Sequence, residues 1–280
     1  MADTMPDTMP DTMPDTMPDT LIRYAVADGV AVFTIDDPPA NTYTYEMMRD
    51  LDDAILRARF DEGVHVIVIR GEGDRFFSAG ANIKMLQTSD PYFKYFFCLH
   101  ANETLSRLEQ TPKLVIGALN GHTVGGGLEI ALACDIRIAR ADAGKIGLPE
   151  VNLGVLPGTG GTQRLGRLLG KSKAIELMAE GSTFGFDEAL ELGLVNKIFE
   201  GDDASFHAQI MEYARQFTPP HKASRAVGRI KRSVCSGVEV PFSEGLAIER
   251  ELQQLLFQGD DAREGLAAYV ERRAPEFAGR

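Results

Sequence analysis

From Leu21 onward, short apolar runs alternate with stretches whose apolar residues recur at helical spacing. Residues 30–35 crowd Val and Phe into six positions and stop at Asp36-Asp37-Pro38-Pro39, which predicts a strand ending in a turn. Met47, Leu51, Ile55 and Ala58 then follow a helical period, and residues 64–69 form a continuous apolar run bounded by Gly71 and Gly73. Further strands are predicted at 114–118 and 136–139, with helices at 92–108 and 127–134. Strand and helix signals that alternate in this way predict an α/β core over residues 21–215.

Beyond residue 215 the pattern changes. Residues 224–234, 242–257 and 261–273 read as helices with no strand between them, and Leu246, Leu252, Leu255 and Leu256 make one apolar stripe. Asp261, three residues before Glu264, has the form of a capping box at a helix start. A helical module is therefore expected over 216–280. The opening twenty residues differ from both regions. They repeat Asp-Thr-Met-Pro from Asp3 to Pro18, and a proline at every fourth position blocks helix while offering no apolar face, so disorder is expected for 1–20.

Charge and composition narrow the functional classes. The 280 residues are 44% hydrophobic and 25% charged, as in a soluble globular protein, and the net charge is −12, with five of the acidic groups in the first twenty residues. Such a charge repels phosphate backbones and anionic lipid surfaces, so neither nucleic acid nor a membrane is expected as partner. No apolar run is long enough to span a bilayer, and the start lacks the features of a secretory signal. Cys98, Cys134 and Cys235 are widely spaced, which fits a reducing compartment, and a cytoplasmic location is expected.

Several familiar motifs fail on their own chemistry. Gly170-Lys171-Ser172 resembles the end of a phosphate-binding loop, but that loop requires glycine where Leu165 stands. In residues 158–163, Gln163 occupies the third glycine position of a dinucleotide fingerprint. His65, His100, His122, His207 and His221 show no paired ligand spacing, so no metal is expected, and no Gly-x-Ser-x-Gly elbow marks a serine hydrolase.

Two glycine-bearing segments remain, Ser78-Ala79-Gly80-Ala81-Asn82-Ile83-Lys84 and Asn120-Gly121-His122-Thr123-Val124-Gly125-Gly126-Gly127-Leu128-Glu129, each following a predicted strand. Three glycines entering a helix let backbone approach a ligand and expose N–H groups where an anion is favoured; a tight crossover needing small residues is the equal alternative. Glu129 falls in the first turn of that helix, whose N-terminus is expected to help keep it ionised, and Glu150 precedes a second glycine-rich loop. Two carboxylates bordering such loops can divide acid and base roles, although a single Glu is more often a solvated cap.

Taken in order, residues 79–84, 120–129, Cys134-Asp135, Pro149-Glu150, Leu153-Gly154 and 157–165 resemble the enoyl-CoA hydratase/isomerase, or crotonase, superfamily. The resemblance spans residues 21–280. It implies a spiral of ββα units followed by a helical trimerisation domain, with trimers commonly paired into hexamers. By motif, the N–H groups of Ala81 and Gly126 would bind a thioester oxygen, and Glu129 and Glu150 match the two catalytic carboxylates of the hydratases. Ala40, Ala79, Ala81, Asn82, Ile83 and Lys84 would line the path of coenzyme A, with Gly126 at its reactive end. Tyr269, Arg272 and Arg273 lie where relatives lend an aromatic and a basic residue to a neighbouring subunit's coenzyme A. No separate cofactor is implied, since coenzyme A is part of the substrate.

The family usually has Asp where this chain has Asn82, so a charge is lost beside the oxyanion residue. The aromatic stretch 92–97 lies on the helix near the acyl pocket of relatives, where it either selects the acyl group or, with twice the weight, forms an ordinary core face. The activity implied is hydration of a 2-enoyl-CoA to a 3-hydroxyacyl-CoA, in the setting of fatty-acid β-oxidation. An isomerase or dehydratase acting on a specialised acyl-CoA is the first alternative, and a non-catalytic scaffold binding coenzyme A or RNA is the second.

Overall fold

The computed structural model describes residues 20–280, so the Asp-Thr-Met-Pro repeat lies outside the described residues. Two sheets organise the core. The larger runs β1 (Ile22–Ala27), β2 (Val30–Ile35), then β3 (Val66–Gly71), β5 (Leu114–Leu119), β7 (Ile136–Arg140) and β10 (Lys197–Phe199). Only its β1–β2 pair is antiparallel. The smaller sheet holds β4 (Phe76–Ser78), β6 (His122–Val124), β8 (Ile146–Gly147) and β9 (Thr183–Phe184).

The chain winds between the sheets. β3 enters the large sheet, β4 the small one, and the helices α2 (Ile83–Thr88) and α3 (Pro91–Gln110) follow; β5, β6 and α4 (Gly126–Leu132) repeat the turn. β7 and β8 then lead through a 3-10 turn, Glu150–Leu153, to α5 (Gly161–Leu169). This is the α/β spiral that the resemblance implied. Strands β2, β3 and β5 of the large sheet are buried on both faces, which explains why they read as continuous apolar runs rather than alternating ones. One face, with Phe33, Ile35, Ile67 and Ile69, packs on α1 (Tyr45–Phe60), α3 and α4. The other, with Val30, Val32, Val66, Val68 and Ile116, is covered by Phe206, Ile210 and Met211 of a later helix.

The intervening helices are α6 (Lys171–Glu180), α7 (Phe186–Glu191) and α8 (Asp203–Arg215), the last supplying that cover. The hydrophobic pattern does not mark the strands of the small sheet, because runs of two or three residues carry no measurable period. Three helices close the chain, α9 (Ser224–Gly237), α10 (Phe242–Phe257) and α11 (Asp260–Glu271). Lys231 fastens α9 to the core: it is almost fully buried, pairs with Asp135 at 2.9 Å and donates to the carbonyls of Leu108 and Lys113. α10 buries no residue, and the expected stripe leaves Leu246 and Leu255 exposed.

The capping-box reading at Asp261 is corrected. Gly259 caps α11, and the buried Asp261 carboxylate instead accepts the N–H groups of Ala278 and Gly279, while Glu264 binds Arg273. The returning C-terminal segment outcompetes the local cap because it brings two donors to one buried carboxylate.

Candidate active site

The first arm of the site follows β4. The N–H of Ala79 donates to the Ala40 carbonyl at 3.0 Å and that of Gly80 to Ser78 Oγ at 3.2 Å. Ala81 then makes a parallel bridge with Tyr43: Tyr43 N donates to Gly80 O at 2.9 Å and Asn82 N to Tyr43 O at 3.1 Å. In a parallel bridge these bonds use the flanking residues, so the N–H of Ala81 points away from Tyr43 and has no acceptor among the described residues.

The second arm follows β6. Gly125 N is held by Gly147 O at 2.9 Å, whereas the N–H of Gly126, at the start of α4, has no intrahelical acceptor. The two arms touch. A Cβ on Gly80, which sits at φ +85°, would lie 2.7 Å from Gly126 N, and a Cβ on Gly126 would lie 1.9 Å from Tyr43 Cε1. Glycine is therefore required at both positions, and the free N–H groups of Ala81 and Gly126 lie on adjoining segments.

Glu129, one helical turn later, is 1% exposed. Its Oε1 accepts the N–H of Thr159 at 2.8 Å and of Gly161 at 2.7 Å, and its Oε2 accepts the Thr159 hydroxyl. Burial raises its pKa, and the Thr159 hydroxyl, the two N–H groups and the Arg164 charge pull the other way. The helix that solvates this carboxylate is α5, whose first N–H it accepts, and not its own α4, whose N-terminus the sequence reading credited. Arg164 locks the loop in place, binding both oxygens of Glu109 at 2.9 and 2.6 Å and the Thr159 carbonyl at 3.1 Å.

Glu150 opens the 3-10 turn after β8. A Cβ on Gly125 would lie 3.2 Å from its Oε1, so this carboxylate borders the glycine segment that carries the Gly126 N–H. Its Oε2 is buried with no hydrogen-bond partner among the described residues. Burial, with a smaller contribution from the charge of Glu129, pushes its pKa to about 7. The neighbouring carboxylates thus differ: one accepts three donors, the other has an oxygen that accepts none.

Ala81, Gly126, Glu129 and Glu150 are brought together, and Ala40, Ala79 and Asn82 line the adjoining strip. Asn82 caps α2, its Oδ1 accepting Met85 N at 3.1 Å, and Ile83 and Lys84 are exposed in the first turn of that helix. The amide therefore supplies the cap without a charge. Tyr269 and Arg272 are exposed at the far end of the chain, and Arg273 is engaged by Glu264 and Glu271. The core-face reading of residues 92–97 is corrected: Phe97 is buried, but Tyr92, Tyr95 and Phe96 are 75%, 66% and 45% exposed.

Sequence reasoning missed Tyr43. Its ring stacks on Phe97 with centroids 5.4 Å apart, and its hydroxyl lies 3.2 Å from Thr159 Oγ1. Burial, and then the charge of Glu129, raise its pKa well above the ordinary phenol value, so it stays protonated. No spacing or motif marks a tyrosine whose partner is 116 residues away. A groove of about 1400 Å³ lies elsewhere, at the free edge of β1 beside α1 and α8, and none of the expected site residues lines it. Among the described residues no group of three His, Cys, Asp or Glu is placed to hold a metal, and no helix is long and apolar enough to cross a membrane.

Two backbone N–H groups without acceptors beside two unequal carboxylates, on a spiral of ββα turns, form an arrangement able to hold an oxyanion and move protons. The family model described as enoyl-CoA hydratase/isomerase matches residues 25–280. A probable enoyl-CoA hydratase of Bacillus subtilis (strain 168) is 39% identical over 259 residues, which cover 92% of this chain and 98% of that protein. A short-chain-enoyl-CoA hydratase of Clostridium acetobutylicum is 36% identical, with 88% and 93% covered. A solved structure from Geobacillus kaustophilus HTA426, named "Enoyl-CoA hydrates", matches with a TM-score of 0.90 at 44% identity, covering 94% of this chain and 98% of that one. The chain belongs to the enoyl-CoA hydratase/isomerase family.

Proposed function

We propose that this enzyme is a hydro-lyase that adds water across the 2,3 double bond of a 2-enoyl-CoA to give the 3-hydroxyacyl-CoA. The observation that carries the reading is the contrast between the carboxylates beside the free N–H groups of Ala81 and Gly126. Those N–H groups accept the negative charge that grows on the thioester oxygen as an enolate forms, at about 3 kcal/mol per donor. Glu129, held by donors that favour its ionised form, takes a proton from water as the oxygen attacks C3. Glu150, whose pKa near 7 leaves it substantially protonated at neutrality, gives a proton to C2.

The strip from Ala40 through Ala79 to Lys84 guides coenzyme A to this centre. Binding energy from the remote nucleotide end then positions the acyl group. The chemistry needs no further cofactor. The proposal extends to a homotrimer or dimer of trimers assembled through the C-terminal helices, supported by an α10 that buries no residue and by the exposure of Phe242, Phe257, Tyr269 and Val270. A cytoplasmic role in β-oxidation completes the reading.

The test is to mix the purified enzyme with crotonyl-CoA and longer 2-enoyl-CoAs and to follow loss of the conjugated thioester's ultraviolet absorbance. Loss with solvent oxygen incorporated at C3 is expected. Double-bond migration without oxygen incorporation would assign an isomerase instead.

A further inference from the structure

Tyr43 touches each part of the site by a different route. Its main chain forms the bridge that leaves the N–H of Ala81 free, its ring closes against Gly126, and its hydroxyl meets Thr159, which in turn meets Glu129. The direction of the hydroxyl chain follows from proton counting. When Glu129 is ionised, as a base must be, the carboxylate only accepts, so the Thr159 hydrogen goes to Glu129 Oε2. Thr159 Oγ1 is then left with lone pairs alone, and the 3.2 Å contact can be filled only by the hydrogen of Tyr43.

We propose that Tyr43 and Thr159 form a hydroxyl relay, Tyr43 to Thr159 to Glu129, that makes Tyr43 a positioning residue for the general base. The inference rests on the hydratase reading for what Glu129 does, but the relay itself is a property of the resting enzyme. Donation from Tyr43 polarises the Thr159 hydroxyl and strengthens its bond to the carboxylate, because all three groups are buried, where a hydrogen bond is electrostatically stronger than in water. Stacking on Phe97, which itself lies 6.2 Å from Phe93 in a parallel arrangement, fixes the ring so that the donor does not wander.

Arg164 of α5 contributes positive charge, Glu150 contributes negative charge from the 3-10 turn, and Cys98 of α3 faces the carboxylate with a thiol whose pKa burial raises. None of them bonds to Thr159 Oγ1. The relay therefore acts on Glu129 separately from these charges.

The test compares Tyr43→Phe, Thr159→Val and Thr159→Ser in the full enzyme, by two readouts. The first is the pH profile of crotonyl-CoA hydration. The second is the carboxylate titration of Glu129 followed by carbon-13 NMR of glutamate-labelled protein, assigned by the signal that Glu129→Gln removes. Tyr43→Phe keeps the ring and its packing, so it should raise the Glu129 titration and the acid limb of kcat by roughly half to one pH unit and leave KM within about twofold. Thr159→Val should produce a larger shift, whereas Thr159→Ser, which keeps the hydroxyl, should stay near wild type. A Tyr43→Phe enzyme whose Glu129 titrates as in wild type overturns the relay, whatever its turnover. A wild-type enzyme that hydrates no enoyl-CoA overturns the functional reading, and the NMR titration still decides the relay.

Discussion

The settings of Glu129 and Glu150 show how one fold gives the same side chain two different environments. Glu129 stands on a helix and reaches into the start of another, where two N–H groups, a hydroxyl and a nearby guanidinium surround it. Glu150 stands at the head of a single 3-10 turn, against a glycine, with one oxygen that no donor reaches. Burial acts on both and raises both pKa values, so burial alone does not separate them. The difference lies in the donors: a loop anchored by Arg164 supplies three to one carboxylate, whereas the other has only its own backbone N–H and keeps Oε2 without a partner.

The comparison breaks most visibly in turnover. Glu129→Gln and Glu150→Gln should each lower kcat for hydration by about 10²- to 10⁴-fold, because each removes a proton-transfer group that the other's setting cannot replace. Near-wild-type turnover for either in steady-state assays would remove that residue from the mechanism.

Stability should separate the two more sharply. Glu129→Gln takes the charge from three donors that remain buried, which costs about 1–3 kcal/mol and lowers Tm by several degrees. Glu150→Gln removes a carboxylate with an unsatisfied oxygen and should leave Tm at pH 8 unchanged or raised. Equal losses in thermal unfolding of the two variants would contradict the contrast.

The smallest effect is the pH dependence of that stability. Glu150 titrates in the folded enzyme near 7, above its ordinary 4.5, so the folded state favours the protonated form. Its contribution is complete below about 4.5 and is lost as pH rises through about 7. Wild-type Tm should therefore fall across that window by more than the Tm of Glu150→Gln, and parallel curves would refute the shift.

Much of this architecture was legible along the chain. Strands β2, β3, β5 and β7 announced themselves as apolar runs because both their faces are buried, and α1 by the regular return of Met47, Leu51 and Ile55 to one side. Glu129 and Glu150 stood out as acidic residues beside glycine-rich turns, whereas Ala81 and Gly126 were assigned through the resemblance that the order of the motifs carries. The small sheet, the cap of α11 and the exposure of Tyr92, Tyr95 and Phe96 were not legible. Each depends on what packs, or fails to pack, against a short or already apolar segment.

By itself the sequence determined β2, β3, β5 and β7, helices α1, α3 and α4, the C-terminal helices, the glycine loops and the presence of two candidate carboxylates, because backbone propensity and side-chain period act over a few neighbouring residues. The tertiary structure alone decided which carboxylate is solvated by donors and which is not. It seats Glu129 on the first N–H of α5 and brings the Tyr43 hydroxyl to Thr159 across 116 residues of chain. Hydrogen bonds of that kind depend on ångström-scale distances between segments that the sequence does not place side by side, and only the packed core holds them there.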